Sequence, residues 1–127
     1  MNVRLGVITY ATNTDTSTVI RNMTSPLTFA STDPQSSPST ATLDLSSLRI
    51  LLETDAPYMV PANLYNDLPG IRGKKLPICH SAMVPWTAKF VADIANASSG
   101  SENSDGPWSA DEVMKVAREN ARKVYGV

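Results

Sequence analysis

One cysteine, Cys79, and one histidine, His80, stand among 127 residues. The lone cysteine excludes an intrachain disulfide framework and any multi-cysteine zinc site. The lone histidine excludes a self-contained multi-histidine metal centre. An excess of one charge sign is missing as well: eleven basic against twelve acidic side chains leave a net charge of −1. No global basic field draws in a polyanion, so a purely electrostatic nucleic-acid coat is excluded. A nuclease with a local basic patch is not. No apolar run approaches the length of a membrane span, so no membrane partner is expected. The opening residues Met1 to Gly6 lack the apolar stretch of a secretory signal. The expected location is therefore intracellular, cytoplasmic or nuclear. In that setting the glycosylation sequons at Asn22 and Asn96 read as chance matches.

What is present is spread unevenly. The first 48 residues carry only five charged side chains, Arg4, Asp15, Arg21, Asp33 and Asp44. Residues 24–42 hold ten Ser or Thr and three Pro among nineteen, too little apolar surface to offset the entropy of ordering. A Ser/Thr/Pro-rich flexible insert over 24–44 is expected, between one block at 1–23 and another at 45–127.

The first block reads as one βα unit. Val3 to Tyr10 is β-rich and mostly apolar. Asp15 or Thr16 is expected to cap a short helix over Ser17 to Met23. In the second block, Ile50-Leu51-Leu52 is continuously apolar, as a parallel strand covered on both faces requires. Pro57 lacks the N–H that a central ladder needs and so ends it. Residues 59–80 read as a long loop with Pro61, Pro69, Gly70, Gly73 and Pro77. Pro85 fits the first turn of a helix whose apolar stripe is Trp86, Phe90, Val91 and Ile94. Residues 98–107 form a second loop. Ser109-Ala110-Asp111-Glu112 is a capping-box pattern opening the last helix, with Val113, Val116, Ala117, Ala121 and Val124 as its buried stripe. Asp111 with Lys115 and Glu119 with Lys123 are i,i+4 pairs, and Gly126 ends the helix. The order β, α, loop, β, long loop, α, α is α/β, with too few strands to close a barrel.

The sharpest signal is Leu51-Leu52-Glu53-Thr54-Asp55-Ala56-Pro57-Tyr58. An apolar strand ending in a carboxylate presents it at the C-terminal edge of a parallel sheet, where α/β folds bind ligands. Asp55 is thus a candidate metal ligand or proton acceptor from a metal-bound water; the bland alternative is an Asp that orders the turn. Glu53, two residues earlier, shares its face, either supporting that site or held in a buried salt bridge. Arg72, Lys74 and Lys75 cluster in the following loop, as phosphate contacts or as a solvated charged loop. His80 and Cys79 invite a metal or nucleophile reading. Adjacent loop residues seldom converge on one ion, so His80 bonding loop backbone is the simpler expectation and Cys79 reads as a plain small residue. Trp86 and Phe90 read as core rather than as a base-stacking platform. Arg118, Arg122 and Lys123 read as a solvated helix face.

Arg49 to Tyr58 resembles the signature near the C-terminus of TatD-type metal-dependent hydrolases. Gly73-Lys74-Lys75-Leu76-Pro77 stands where that family has Gly-Lys-Arg-Asn-x-Pro, the helix from Pro85 to Ala97 resembles its next helix, and Ala117 to Gly126 its closing segment with an Asn-Ala pair. Pro77 to Trp86 is similar to the eukaryotic, fungal branch. The resemblance is clear over 45–127 and weak over 1–23, as a penultimate βα unit. It implies a (β/α)₈ TIM barrel, a deoxyribonuclease acting on the phosphodiester bonds of DNA, and one or two divalent ions (Mg, Mn or Zn). Of the family's ligands only the Asp of the last strand is present, as Asp55. The expectation is a C-terminal fragment of about two βα units plus a final helix, as a truncation, pseudogene product, splice form or gene-model error. On that reading most ligands are missing, and the chain by itself is inactive and does not hold metal stably. The alternative is a non-catalytic remnant or interaction segment.

Overall fold

The computed structural model describes residues 3–5, 14–24, 48–98 and 108–126. Two short strands, β1 (Val3–Leu5) and β2 (Ile50–Leu52), pair in parallel with Val3 opposite Ile50 and Leu5 opposite Leu52. Between them in sequence lies helix α1 (Thr14–Thr24). A parallel pair needs a long crossover, and this helix lies within it. After β2 come a one-turn helix α2 (Leu64–Asp67), 3₁₀ turns at Pro69–Ile71 and Ser81–Met83, and the long helices α3 (Val84–Ser98) and α4 (Ala110–Tyr125). Helix α3 packs against both α1 and α4, and α4 lies on β2.

The core lies between these helices and the sheet. Ile20, Leu48, Ile50, Val91, Trp108 and Val113 are buried in it. Each fully buried branched side chain contributes about 1.5–3 kcal/mol. On α3 the buried face is Ala88, Val91, Ala92 and Ala95, spaced i, i+3, i+4, i+7. It is centred slightly away from the stripe expected at Trp86, Phe90, Val91 and Ile94. Val91 and Ile94 are buried, Phe90 packs partly on the cluster, and Trp86 is only half-buried. Alanines at the contact let a helix wedged between two others approach both closely.

Several local expectations shift for physical reasons. Asp15 and Thr16 lie inside the first turn of α1 rather than capping it, where Asp15 complements the positive end of the helix dipole. Ile50 is buried, but Leu51 and Leu52 are half-buried, so coverage of β2 is uneven. The 59–80 loop contains α2 and a 3₁₀ turn. The capping box of α4 forms as expected: Glu112 N–H donates to Ser109 Oγ at 3.3 Å and Ser109 N–H to Glu112 Oε2 at 2.9 Å. Gly126 closes the helix at φ 69°, its N–H bonded to the Arg122 carbonyl. Val124 is exposed because the helix outruns the core there. Glu119 pairs with Arg122 at 2.8 Å instead of Lys123, and among the described residues Asp111 and Lys115 form no ion pair. Residues 6–10 of the expected first strand, most of the 24–44 insert and residues 99–107 lie outside the described residues.

Two carboxamides, one buried and one half-buried, tie the layer together. Asn96 Nδ2 donates to the Trp108 carbonyl at 2.9 Å and Trp108 N–H donates back to Asn96 Oδ1 at 3.0 Å, fixing the end of α3 to the entrance of α4. Asn120 Nδ2 donates to the carbonyls of Leu48 at 2.8 Å and Ile50 at 3.0 Å, fixing α4 to β2.

Candidate functional site

Strand β2 ends at Leu52, and the chain leaves it through Glu53, Thr54 and Asp55 into a turn at Ala56–Pro57, whose peptide bond is cis. The Asp55 carbonyl accepts the N–H of Tyr58 at 2.6 Å. The backbone of Asp55 therefore orders the turn, and its exposed carboxylate has no hydrogen-bond or ion-pair partner among the described residues. Alternation along an extended chain puts Asp55 and Glu53 on one face, yet in the structure the two residues line different hollows. Asp55 lines a cleft of about 520 Å³ with Thr54, Tyr58, Tyr65, Lys74, Lys75 and Thr87. Glu53, exposed, lines a groove of about 320 Å³ between β2 and α4, together with Leu51, Met114 and Arg118.

The far wall of the cleft is built by the loop after the strand. Leu64, 2 % exposed, anchors α2 in the body of the protein. Asn63 Nδ2 donates to the Trp86 carbonyl at 2.6 Å, tying the loop to the first turn of α3. The Tyr65 hydroxyl accepts the N–H of Leu76 at 3.0 Å, which holds the lysine-bearing strand of the loop against α2. Between these points the chain reverses at Ile71–Lys74. Arg72 sits at φ −56°, ψ 127° and Gly73 at φ 78°, with Lys74 N–H on the Ile71 carbonyl at 2.9 Å. That is a type II turn, whose third position needs positive φ and so favours glycine. It explains a division among the three loop cations: Lys74 and Lys75, past the reversal, line the cleft, while Arg72 at the corner is exposed and does not.

Two ammonium groups against one carboxylate leave the cleft with an excess of positive charge. Neither lysine is in an ion pair among the described residues. Unpaired ammonium groups at a cleft wall are point charges available to an anion such as phosphate.

The same residues do not fit a metal centre. No three His, Cys, Asp or Glu come together among the described residues. His80 Nδ1 accepts the N–H of Ala82 at 3.0 Å and caps the 3₁₀ turn before α3, so it bonds loop backbone. Cys79 is buried, its N–H on the Pro57 carbonyl at 2.9 Å. Neither lines the cleft. Arg118, Arg122 and Lys123 are exposed on α4. Sequence reasoning passed over Asn63 and Tyr65, which build the wall, and named Tyr58, which lines the cleft, only as the end of the strand-end motif. A polar or aromatic side chain inside a Pro- and Gly-bounded loop was the available signal. No helix among the described residues is long and apolar enough to cross a membrane.

Compared with known proteins, residues 5–126 match the family model described as TatD related DNase. The match takes in α1 and the last residue of β1 as well as the C-terminal segment. No curated protein and no solved structure matches the chain.

Proposed function

We propose that this chain, which belongs to the TatD related DNase family, acts in the hydrolysis of DNA phosphodiester bonds as the C-terminal portion of such an enzyme. The family is of hydrolase and nuclease type, built on the TIM barrel and metal-dependent in general. On this reading residues 1–23 are the penultimate βα unit, 24–44 an insert, and 45–127 the closing segment of the eukaryotic, fungal type. The carrying observation is the cleft at the C-terminal end of β2, where Asp55 meets Lys74 and Lys75. Ligand sites of parallel α/β sheets lie at this end. The lysines hold a DNA phosphate at the wall while the carboxylate of Asp55 stands at the strand end, free to hold a cation or accept a proton. Glu53 and Arg72 take supporting places outside the cleft. Divalent ions (Mg, Mn or Zn) supply water activation in the family, but the described residues of this chain do not assemble a site for one. The reading keeps the location expected from the sequence, intracellular and cytoplasmic or nuclear.

The make-up of the cleft, one carboxylate beside two ammonium groups, favours a second reading, in which the chain binds DNA without cutting it. One preparation of residues 1–127 tests both. Binding of a labelled oligonucleotide is measured across salt concentrations, and cleavage with magnesium or manganese added. We expect salt-dependent binding, with a slope smaller by about 1.4 for single strands when Lys74→Ala and Lys75→Ala remove two phosphate contacts. Binding unchanged in that double variant sinks the cleft assignment. Metal-dependent cleavage abolished by Asp55→Ala shows a working centre within this chain; binding without cleavage selects the second reading.

A further inference from the structure

Tyr58 is 86 % exposed, the most exposed large hydrophobic side chain among the described residues. Yet its backbone is held on both sides: its own N–H lies on the Asp55 carbonyl at 2.6 Å, and the Pro57 carbonyl before it accepts the Cys79 N–H at 2.9 Å. A flat amphipathic ring is thus presented to water by a braced turn, at the rim of the cleft that Lys74 and Lys75 line. Its hydroxyl has no partner among the described residues. Ile78, one residue before the Cys79 that braces this turn, is also 58 % exposed.

A polyanion alone uses the lysines and leaves the ring idle. A ligand that alternates phosphate with a flat π-face uses both. We propose that Tyr58 is a base-stacking residue, receiving one unpaired nucleobase of a DNA strand whose backbone lies along Lys74 and Lys75. This rests on the phosphate-binding reading of the cleft. A base still inside a duplex offers only its edges, so the ring selects single-stranded or frayed DNA. Stacking is tolerant of base identity because every base has a π-face. Tyr65 differs from Tyr58 in being half-buried, with its hydroxyl accepting the Leu76 N–H, an arrangement that holds the wall.

The test is fluorescence anisotropy with residues 1–127 and three labelled probes: oligothymidylate, the same oligomer with abasic sites throughout, and a duplex of equal length. Tyr58→Ala should weaken oligothymidylate binding on the order of 10-fold. Tyr58→Phe and Tyr58→Trp should retain binding, since both keep a ring. The abasic probe should bind parent and Tyr58→Ala alike, which a merely structural effect of the substitution does not allow. Thermal unfolding should be the same for all, as the ring is outside the core. If Tyr58→Ala binds oligothymidylate like the parent while Lys74→Ala and Lys75→Ala weaken it, stacking is overturned and the phosphate site stands. If the parent binds none of the probes, both fall.

Discussion

The helical layer and the loop that follows β2 are held by different means. In the layer, α1, α3, α4 and β2 bury Ile20, Leu48, Ile50, Val91 and Val113, and the carboxamides of Asn96 and Asn120 lock the elements to one another. In the loop, residues 53–80, few side chains are buried, and shape comes from backbone hydrogen bonds, a type II turn and the Tyr65 hydroxyl. Burial rewards apolar volume and leaves no exposed charge for a ligand. The loop keeps Asp55, Lys74 and Lys75 in water at fixed places, which packing alone cannot do. Stability and chemistry therefore occupy separate regions, and substitutions should sort accordingly.

The largest effect expected belongs to the layer. Ile50→Ala removes a side chain that is 1 % exposed and should cost about 2–5 kcal/mol, read as a lower urea midpoint. An unchanged midpoint would show that the helices do not depend on the sheet. Next comes Asn120→Ala, which takes the donor from the Leu48 and Ile50 carbonyls and should cost about 1–3 kcal/mol. Asn120→Asp, similar in size but without an N–H, should cost at least as much. Stability near the parent's in both would mean that α4 is held by its apolar stripe alone.

Smaller is the cap of α4. Ser109→Ala should cost about 1 kcal/mol. The Ser109 backbone N–H, and after it the Ser109 hydroxyl, hold the Glu112 carboxyl below the usual carboxylate range. A lowered folded pKa means stabilisation that is present above the ordinary Glu value and lost as pH falls through the folded one. The gap between parent and variant in thermal unfolding should accordingly narrow in acid; a gap constant from neutral to acid pH would sink this account. The smallest effect on stability belongs to the loop. Lys74→Ala with Lys75→Ala should stay within about 0.5 kcal/mol of the parent while DNA binding falls. A large loss of stability there would erase the contrast between the regions.

How far these features can be read from sequence follows the same division. The capping box of α4 and its glycine end are local: Ser109, Glu112 and Gly126 act within a turn of themselves, so spacing alone is enough. Strand β2 is legible because three apolar residues run up to a polar end before Pro57. The choice of Arg122 over Lys123 by Glu119 is not, since i+3 and i+4 partners are equally near on paper. Nor is the buried face of α3, where alanine gains its value only from the two helices beside it. For the site, Asp55, Lys74 and Lys75 can be named from sequence, whereas the exclusion of Arg72 depends on a corner set by Gly73.

The order of residues by itself determined the α/β succession, both ends of α4 and the residue types that bear charge at the strand end, because propensity, capping and turn chemistry act over a few neighbours. Only the tertiary structure decided which of those residues meet. Asp55 joins Lys74 and Lys75 rather than Glu53, and Asn120 reaches 70 and 72 residues back to Ile50 and Leu48. Both depend on where a turn releases the chain and where a helix comes to rest, and those places are fixed by packing between segments far apart in sequence.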